Sequence, residues 1–217
     1  MVYFCFGGVG QVGEILIMSI STYLFDLDDT LIDTKIYAEI YSPILFLIKK
    51  RLNITALELD LKAKKLGLKK NKYGRWDTGD LCRGLGLLKM YYTVLGKQIN
   101  ILWPLHDKVA DIFKEIKKRK KKIGIVSNSM RKTILVYLTK YSLSKQVDFI
   151  FSQDDAGCLK NDITYWTKLI ARKKLVPSKC LMIGDDPLED ILIPHKLGFN
   201  TLKINKSSDL RKVRKFL

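Results

Sequence analysis

The sequence lacks an uncharged apolar run of the ~18 residues that a membrane-spanning helix needs. Its first 25 residues are rather apolar, but Glu14 interrupts them and no basic segment precedes them, so we predict neither a signal peptide nor a membrane span. Cysteine is scarce, and none of Cys5, Cys82, Cys158 and Cys180 forms a CxxC pair or a zinc spacing with a histidine. We therefore expect a cytoplasmic protein without structural disulfides.

Acidic residues are few compared with basic ones. The chain has 22 Asp and Glu against 39 Lys and Arg, which gives a formal net charge of +17. This excess favours anionic partners, a class that includes nucleic acid, membrane surfaces and phosphorylated small molecules. The 217 residues are 47% hydrophobic and 28% charged, the composition of an ordinary globular protein. The length fits one α/β domain with a modest insertion and excludes two large domains.

Short apolar runs alternate with helical patterns along the chain, which is typical of a parallel β-sheet with crossover helices. The predicted strands are residues 22–26, 122–126, 148–151, 180–184 and 201–204. Amphipathic helical periodicity covers residues 107–120, 131–140 and 162–174. The predicted fold class is therefore α/β.

The interval 34–102 contains no convincing buried strand and has the pattern of several helices. Thr55 and Glu58 have the spacing of a capping box at a helix start. Gly67 is a helix stop signal, and Pro43 is expected either to start a second helical segment or to kink the first.

These patterns predict a division of the chain into domains. Residues 18–33 and 103–217 form the sheet domain, and residues 34–102 form a small inserted helical domain. We interpret residues 1–17 as an N-terminal extension, and a translation start at Met18 stays open as the alternative.

Acidic and hydroxyl side chains follow the predicted strands, at the sheet edge where open parallel sheets bind ligands. They are joined by one lysine in the loop after the third strand. The set is Asp26, Asp28, Thr30, Ser127, Asn128, Lys160, Asp185 and Asp190. Carboxylates from two neighbouring strands make an oxygen-rich pocket suited to Mg²⁺ and to phosphate chemistry, in which negative charge must be met by cations.

This ordered set resembles the four motifs of the haloacid dehalogenase superfamily, whose members are mostly phosphohydrolases on a Rossmannoid sheet. The matching segments are Phe25-Asp-Leu-Asp-Asp-Thr-Leu31, Ile125-Val-Ser-Asn128, Lys160 with Asp162 and Tyr165, and Ile183-Gly-Asp-Asp186 with Asp190. The resemblance implies that the helical insertion is a cap between the first and second motifs, as in phosphoglycolate phosphatase-like and archaeal members of the superfamily.

The resemblance also implies a role for each residue. Asp26 would be the nucleophile that forms an aspartyl-phosphate, and Asp28 would be the general acid and base. Lys160 would stabilise negative charge during the reaction. The residues expected to bind phosphoryl oxygens or to hold the surrounding loop are Thr30, Ser127, Asn128 and Lys160.

The implied cofactor is Mg²⁺. Its ligands would be the carboxylates of Asp26 and Asp185 and the backbone carbonyl of Asp28, with Asp190 supporting them from behind. Each of these residues lies in a motif that resembles the superfamily pattern.

Asp28 narrows the expected reaction. Dehalogenases and phosphonate-cleaving relatives lack this aspartate, because they protonate no alcohol leaving group there. We therefore predict a Mg²⁺-dependent phosphatase acting on a small phosphorylated metabolite. The alternative is a basic nucleic-acid-associated protein or a polynucleotide-end phosphatase, which the lysine-rich runs 62–75 and 117–122 leave open.

Overall fold

A computed structural model describes residues 20–70 and 74–217. The predicted extension 1–17 and the alternative start at Met18 lie outside the described residues. The strands are β1 (Thr22–Phe25), β2 (Lys122–Ser127), β3 (Phe149–Ser152), β4 (Cys180–Gly184) and β5 (Asn200–Lys203). All neighbouring strands pair in parallel, in the order β3-β2-β1-β4-β5. The predicted α/β class is confirmed.

Helices connect these strands and fill the predicted insertion. They are α1 (Lys35–Leu52), α2 (Ala56–Lys65), α3 (Thr78–Gly84), α4 (Leu88–Leu102), α5 (Val109–Lys118), α6 (Arg131–Lys140), α7 (Gln153–Ala156), α8 (Ile163–Lys173) and α9 (Ile193–Lys196). A π-helical turn, Pro187–Leu192, leads into α9, and 3-10 segments cover Pro177–Lys179 and Ser207–Phe216. Among the described residues, no helix has both the length and the apolarity to cross a membrane.

The sheet has a hydrophobic layer on each face because side chains alternate along its strands. In β1, Tyr23 and Phe25 belong to one buried cluster, whereas Leu24 belongs to the other. Phe113 of α5 packs on Phe25 with ring centroids 5.0 Å apart. Trp166 of α8 lies in the cluster on the opposite face. The central strand is therefore buried on both sides, as expected for a parallel sheet.

Helices α1 and α4 pack together through side chains that repeat every four residues. Such rows form ridges that fit between the ridges of a facing helix. The buried side chains are Ile36, Ile40, Ile44 and Ile48 of α1 and Tyr91, Leu95 and Ile99 of α4. Pro43 lies inside the single continuous helix α1, so the predicted alternative that it starts a new segment is wrong.

Local signals set both ends of α2. The Thr55 side chain accepts a hydrogen bond from the Glu58 backbone N–H, and the Glu58 side chain accepts one from the Thr55 backbone N–H. Gly67 follows the helix with a φ of 73°, a conformation that costs glycine little. The capping box and the helix stop are confirmed. The assignment of α1 to α4 as a separate cap stays a prediction.

The chain leaves the sheet after β1 and returns to it before α5 through two paired segments. Ile32 forms an antiparallel bridge with Leu105, and the Asp33 N–H donates to the Pro104 carbonyl at 2.8 Å. Because the outgoing segment follows β1 directly, this pairing connects α1 and α4 to the carboxyl end of the central strand.

Candidate active site

Three strands of the sheet end at the same level. Phe25 of β1 is in register with Ile125 of β2 and with Ile183 of β4. The Asp26 N–H continues the ladder by donating to the Ile183 carbonyl at 2.9 Å. The polar residues that follow these strands therefore meet at one edge, although Ser127 lies 101 positions after Asp26 and Asp185 lies 58 positions after Ser127.

Lys160 lies between two buried carboxylates at this edge. Its Nζ is 2.5 Å from Oδ1 of Asp26 and 2.6 Å from Oδ1 of Asp190. The exposed fraction of Asp26, Lys160 and Asp190 is 4%, 2% and 0%. Charges this deeply buried persist only when they are paired. The structure thus brings together three of the predicted site residues in one ionic cluster.

Burial and charge act in opposite directions on this cluster. Burial raises the pKa of Asp26 well above its ordinary value, and the charge of Lys160 opposes that rise. Burial by itself would lower the pKa of Lys160, but the charges of Asp26 and Asp190 raise it above its ordinary value. Lys160 is therefore a permanent cation at neutral pH.

Gly184, at the end of β4, allows Asp190 to approach the strand. Asp190 Oδ2 accepts a hydrogen bond from the Asp186 N–H at 3.1 Å. A Cβ atom added to Gly184 would lie 2.2 Å from the same Oδ2 atom. Glycine is thus required here by the closeness of a buried carboxylate, since the residue's φ is not in the left-handed region.

We expect Gly184→Ala to lower the free energy of unfolding by about 1–3 kcal/mol, because an added methyl group must displace Asp190 in a fully packed site. Urea denaturation measures the change. Gly96→Ala is the matched control: nothing lies within 4 Å of its added Cβ, so this helical substitution should be neutral or slightly stabilising. Equal effects of the two substitutions would contradict the packing argument.

Asp26 also belongs to a group of three carboxylates that could hold a metal ion. Ligand oxygens of Asp26, Asp185 and Asp190 all lie within 4.8 Å of one another. Burial, with the nearby charges of Asp190 and Asp29, raises the pKa of Asp185 to about 6. Three hard oxygen ligands whose negative charges repel each other are a donor set that fits a divalent cation such as Mg²⁺. The predicted role of the Asp28 backbone carbonyl stays a prediction.

The Asp28 carboxylate is held by two hydroxyl groups. Tyr37 of α1 donates to Oδ1 at 2.9 Å, and Ser129 donates to Oδ2 at 2.8 Å. Burial raises the pKa of Asp28, and these two hydrogen bonds lower it. Ser129 belongs to the polar run after β2, which could have suggested it. Nothing in the sequence identified Tyr37, because its contact depends on where α1 is placed.

The loop that carries Lys160 is tied to β2 through Asn128. The Asn128 Oδ1 accepts from the Lys160 backbone N–H at 2.8 Å, and its Nδ2 donates to Glu189 at 2.6 Å. Trp166 donates from its indole to the Lys160 carbonyl at 2.8 Å. These contacts fix the lysine backbone from both sides. Phosphate binding by Asn128 stays a prediction, and Glu189 is a contact that sequence reasoning missed.

Two further predicted phosphate ligands are buried hydroxyls. Ser127 Oγ accepts from the Ser129 N–H at 2.9 Å, which leaves its own proton to be donated elsewhere. Thr30 Oγ1 has no hydrogen-bond partner among the described residues. Both side chains lie in the motif segments at the strand ends, and their roles toward phosphate stay predictions.

A parallel sheet that gathers carboxylates around a buried lysine at its strand ends fits a hydrolytic α/β enzyme. A family model for haloacid dehalogenase-like hydrolases matches residues 20–198. The chain therefore belongs to this family, and both the resemblance read from the motifs and the hydrolase class are confirmed. No curated protein matches the sequence.

Solved structures share the fold. A HAD phosphatase from Thermococcus onnurineus is 15% identical with a TM-score of 0.63, over 90% of this chain and 98% of that chain. A subfamily IA HAD hydrolase from Geobacter sulfurreducens is 13% identical with a TM-score of 0.63, over 92% and 100%. YfnB from Bacillus subtilis, solved bound to magnesium, is 21% identical with a TM-score of 0.56, over 86% and 87%.

Proposed function

We propose that this protein is a Mg²⁺-dependent phosphatase that hydrolyses a small phosphate monoester through an aspartyl-phosphate. The observation that carries the proposal is the pairing of Asp26 with Lys160 at 2.5 Å, with a second carboxylate, Asp28, two residues away. One carboxylate beside a fixed cation suits nucleophilic attack, and the other, hydrogen-bonded and partly buried, suits proton transfer.

The carboxylates of Asp26 and Asp185 and the backbone carbonyl of Asp28 would hold the metal ion, with Asp190 supporting them from behind. In support, the carboxylate oxygens of Asp26, Asp185 and Asp190 lie within 4.8 Å of one another. When bound, Mg²⁺ supplies positive charge that offsets the repulsion between a carboxylate and a phosphate dianion. YfnB, which shares this fold, was solved bound to magnesium, and this supports Mg²⁺ as the proposed ion.

In the first half-reaction, the Asp26 carboxylate attacks phosphorus and the bond from phosphorus to the ester oxygen breaks. The leaving oxygen keeps the electron pair and takes a proton from Asp28. In the second half-reaction, water attacks phosphorus and gives a proton to Asp28. The bond between phosphorus and the Asp26 oxygen breaks, so phosphate is released and the Asp26 carboxylate is restored. Splitting one displacement into two allows the same carboxyl group to serve as acid and then as base.

Lys160 contributes a charge whose position is set before substrate arrives. Asp190 accepts from its ammonium group, while Asn128 and Trp166 hold its backbone. A cation that is already in place needs no reorganisation when negative charge develops, which is the source of much enzymatic rate enhancement.

A phosphate-release screen with Mg²⁺ tests the proposal. The panel contains p-nitrophenyl phosphate, small metabolite esters and 5′-phosphorylated oligonucleotides. We expect turnover of small esters that is nearly insensitive to salt. Retention or cleavage of oligonucleotides would instead support the nucleic-acid alternative. Their affinity should then fall with salt at a log–log slope of about −0.9 per neutralised phosphate on duplex DNA. Release of phosphate from no member would overturn the proposal.

We expect Mg²⁺ to raise the melting temperature, because a ligand at 100 times its Kd stabilises a folded protein by about 2.7 kcal/mol. Asp185→Asn should remove most of this shift, since it neutralises one of the two proposed carboxylate ligands. Differential scanning calorimetry with and without EDTA measures it. Asp111→Asn, an exposed carboxylate on α5, makes the same change in charge and should retain the full shift. Equal shifts in both variants would exclude Asp185 as a ligand.

We expect Asp28→Asn to reduce kcat/KM for alkyl phosphates by about 10²–10⁴-fold, because alkoxide leaving groups need a proton in the first half-reaction, which sets kcat/KM. The kcat/KM for p-nitrophenyl phosphate should fall much less, since p-nitrophenolate leaves unprotonated. Tyr37→Phe should show the same dependence on leaving group with a smaller amplitude, as it removes one hydrogen bond to Asp28. A uniform loss across leaving groups would argue against proton transfer by Asp28.

A further inference from the structure

In the described part of the chain, the charged side chains that line the cavity beside Asp28 are all acidic. It encloses about 230 Å³ between the strand-end loops and helices α1, α3 and α4. Besides Asp28, it is lined by two carboxylates from the inserted helices, Asp77 and Asp80, together with Tyr37 and Tyr91. Among the described residues that line it, none is lysine or arginine.

The two carboxylates of the insertion are held in place by local structure. Asp77 caps α3, and its Oδ1 accepts from the Asp80 N–H at 2.7 Å. Burial and the charge of Asp77 raise the pKa of Asp80. Arg83 is 3.9 Å from Asp80 but only 2.9 Å from Asp154, with which it pairs more closely. The repulsion between the two carboxylates is therefore only partly offset by the protein.

Aromatic rings complete the wall. Tyr37 and Tyr91 line this cavity and also an adjoining one of about 400 Å³, which does not include Asp28. Lys35 and Arg75 line only the adjoining cavity. The described charged groups that line the cavity nearest the proposed proton donor are therefore all carboxylates, which accept hydrogen bonds and attract cations. The rest of the described lining is uncharged: Tyr37, Tyr91, Asn128, Ser129, Met130, Thr133, Gln153 and Leu159.

The size of the cavity limits the group that it can hold. At about 30 Å³ for each water-sized group, 230 Å³ accommodates roughly seven or eight such groups. This corresponds to an alcohol of two to four carbons, with its substituents lying next to Asp77 and Asp80.

We propose that the leaving alcohol of the substrate carries hydroxyl or ammonium groups near the ester bond and no second anion. This inference rests on the proposed phosphatase activity and narrows its substrate class to amino-alcohol and polyol monophosphates. A carboxylate or second phosphate on a short leaving group would face Asp77 and Asp80 without a cation among the described lining residues. An ammonium or hydroxyl group would instead donate to them.

Kinetics with esters of matched size test the inference. We expect kcat/KM for phosphoethanolamine and glycerol phosphate to exceed that for phosphoglycolate by at least tenfold. p-Nitrophenyl phosphate reports whether the chemistry works at all. If it is hydrolysed while phosphoglycolate matches or exceeds the other two esters, the substrate inference is overturned and the phosphatase proposal stands. If no ester is hydrolysed, the proposed function itself fails.

Variants that remove the two negative charges test whether Asp77 and Asp80 cause the preference among esters. Asp77→Asn keeps an N-cap residue, and Asp80→Asn keeps the side-chain shape. In the double variant that carries both substitutions, the preference for phosphoethanolamine and glycerol phosphate over phosphoglycolate should fall below threefold. The cause should be a lower KM for phosphoglycolate rather than a general loss of kcat. Asp111→Asn should keep the wild-type preference. An unchanged preference in a folded, active double variant would also overturn the inference.

Discussion

Asp26→Asn is expected to lower kcat for phosphate release by at least about 10³-fold, because an amide cannot act as the nucleophile that a carboxylate provides. The substitution also removes one of the two charges that pair with Lys160. The pair of Lys160 with Asp190 at 2.6 Å remains, so we expect the variant to fold.

Two measurements separate loss of chemistry from loss of structure. Acid-quenched wild-type enzyme, analysed by mass spectrometry during turnover, should carry one phosphoryl group on the peptide that contains Asp26, and the variant should carry none. Circular dichroism and thermal melting should show a folded variant. A folded Asp26→Asn enzyme with full activity would exclude Asp26 as the nucleophile, and Asp111→Asn should behave as wild type in both measurements.

Lys160→Met is expected to affect both stability and activity. Removing the ammonium leaves the buried carboxylates of Asp26 and Asp190 facing each other without the cation that pairs with both. Breaking a buried ion pair by deleting one partner typically costs about 3–5 kcal/mol. We therefore expect a loss of that size in the free energy of unfolding, together with a loss of activity of at least about 10²-fold.

The second variant of this series identifies the cause of the instability. Adding Asp190→Asn to Lys160→Met removes one of the two stranded charges, so part of the lost stability should return while activity stays low. Lys118→Met, which deletes an exposed lysine at the end of α5, controls for the loss of a positive charge. If urea denaturation gives Lys160→Met the same free energy of unfolding as the wild type, the buried cluster does not contribute to folding.

Local patterns in the sequence were sufficient for the sheet and for much of the helical structure. β4 and α6 have the predicted bounds, and the other predicted strands differ by a single residue at one or both ends. Strands that are buried on both faces need apolar side chains at successive positions, so they are conspicuous in a sequence. The capping box at Thr55 depends on residues three positions apart and is equally readable.

Other features could not be predicted from the sequence, because they depend on contacts between residues that are far apart along the chain. The continuous course of α1 through Pro43 is supported by packing against α4, about fifty residues later. The contact of Tyr37 with Asp28 depends on the angle at which α1 leaves the sheet. The carboxylates Asp77 and Asp80 have no motif, and their nearness to Asp28 follows only from the placement of α3.

The sequence by itself determined the fold class, the hydrolase family and the order of the acidic motifs, because each depends on neighbouring residues and on the ends of single strands. Only the tertiary structure decided which groups face one another. It placed Lys160 between Asp26 and Asp190, and it set the acidic cavity beside Asp28. The physical reason is that charge pairs and cavities form between residues that are close in space but far apart along the chain. Only the packing of the helices and the sheet brings such residues together.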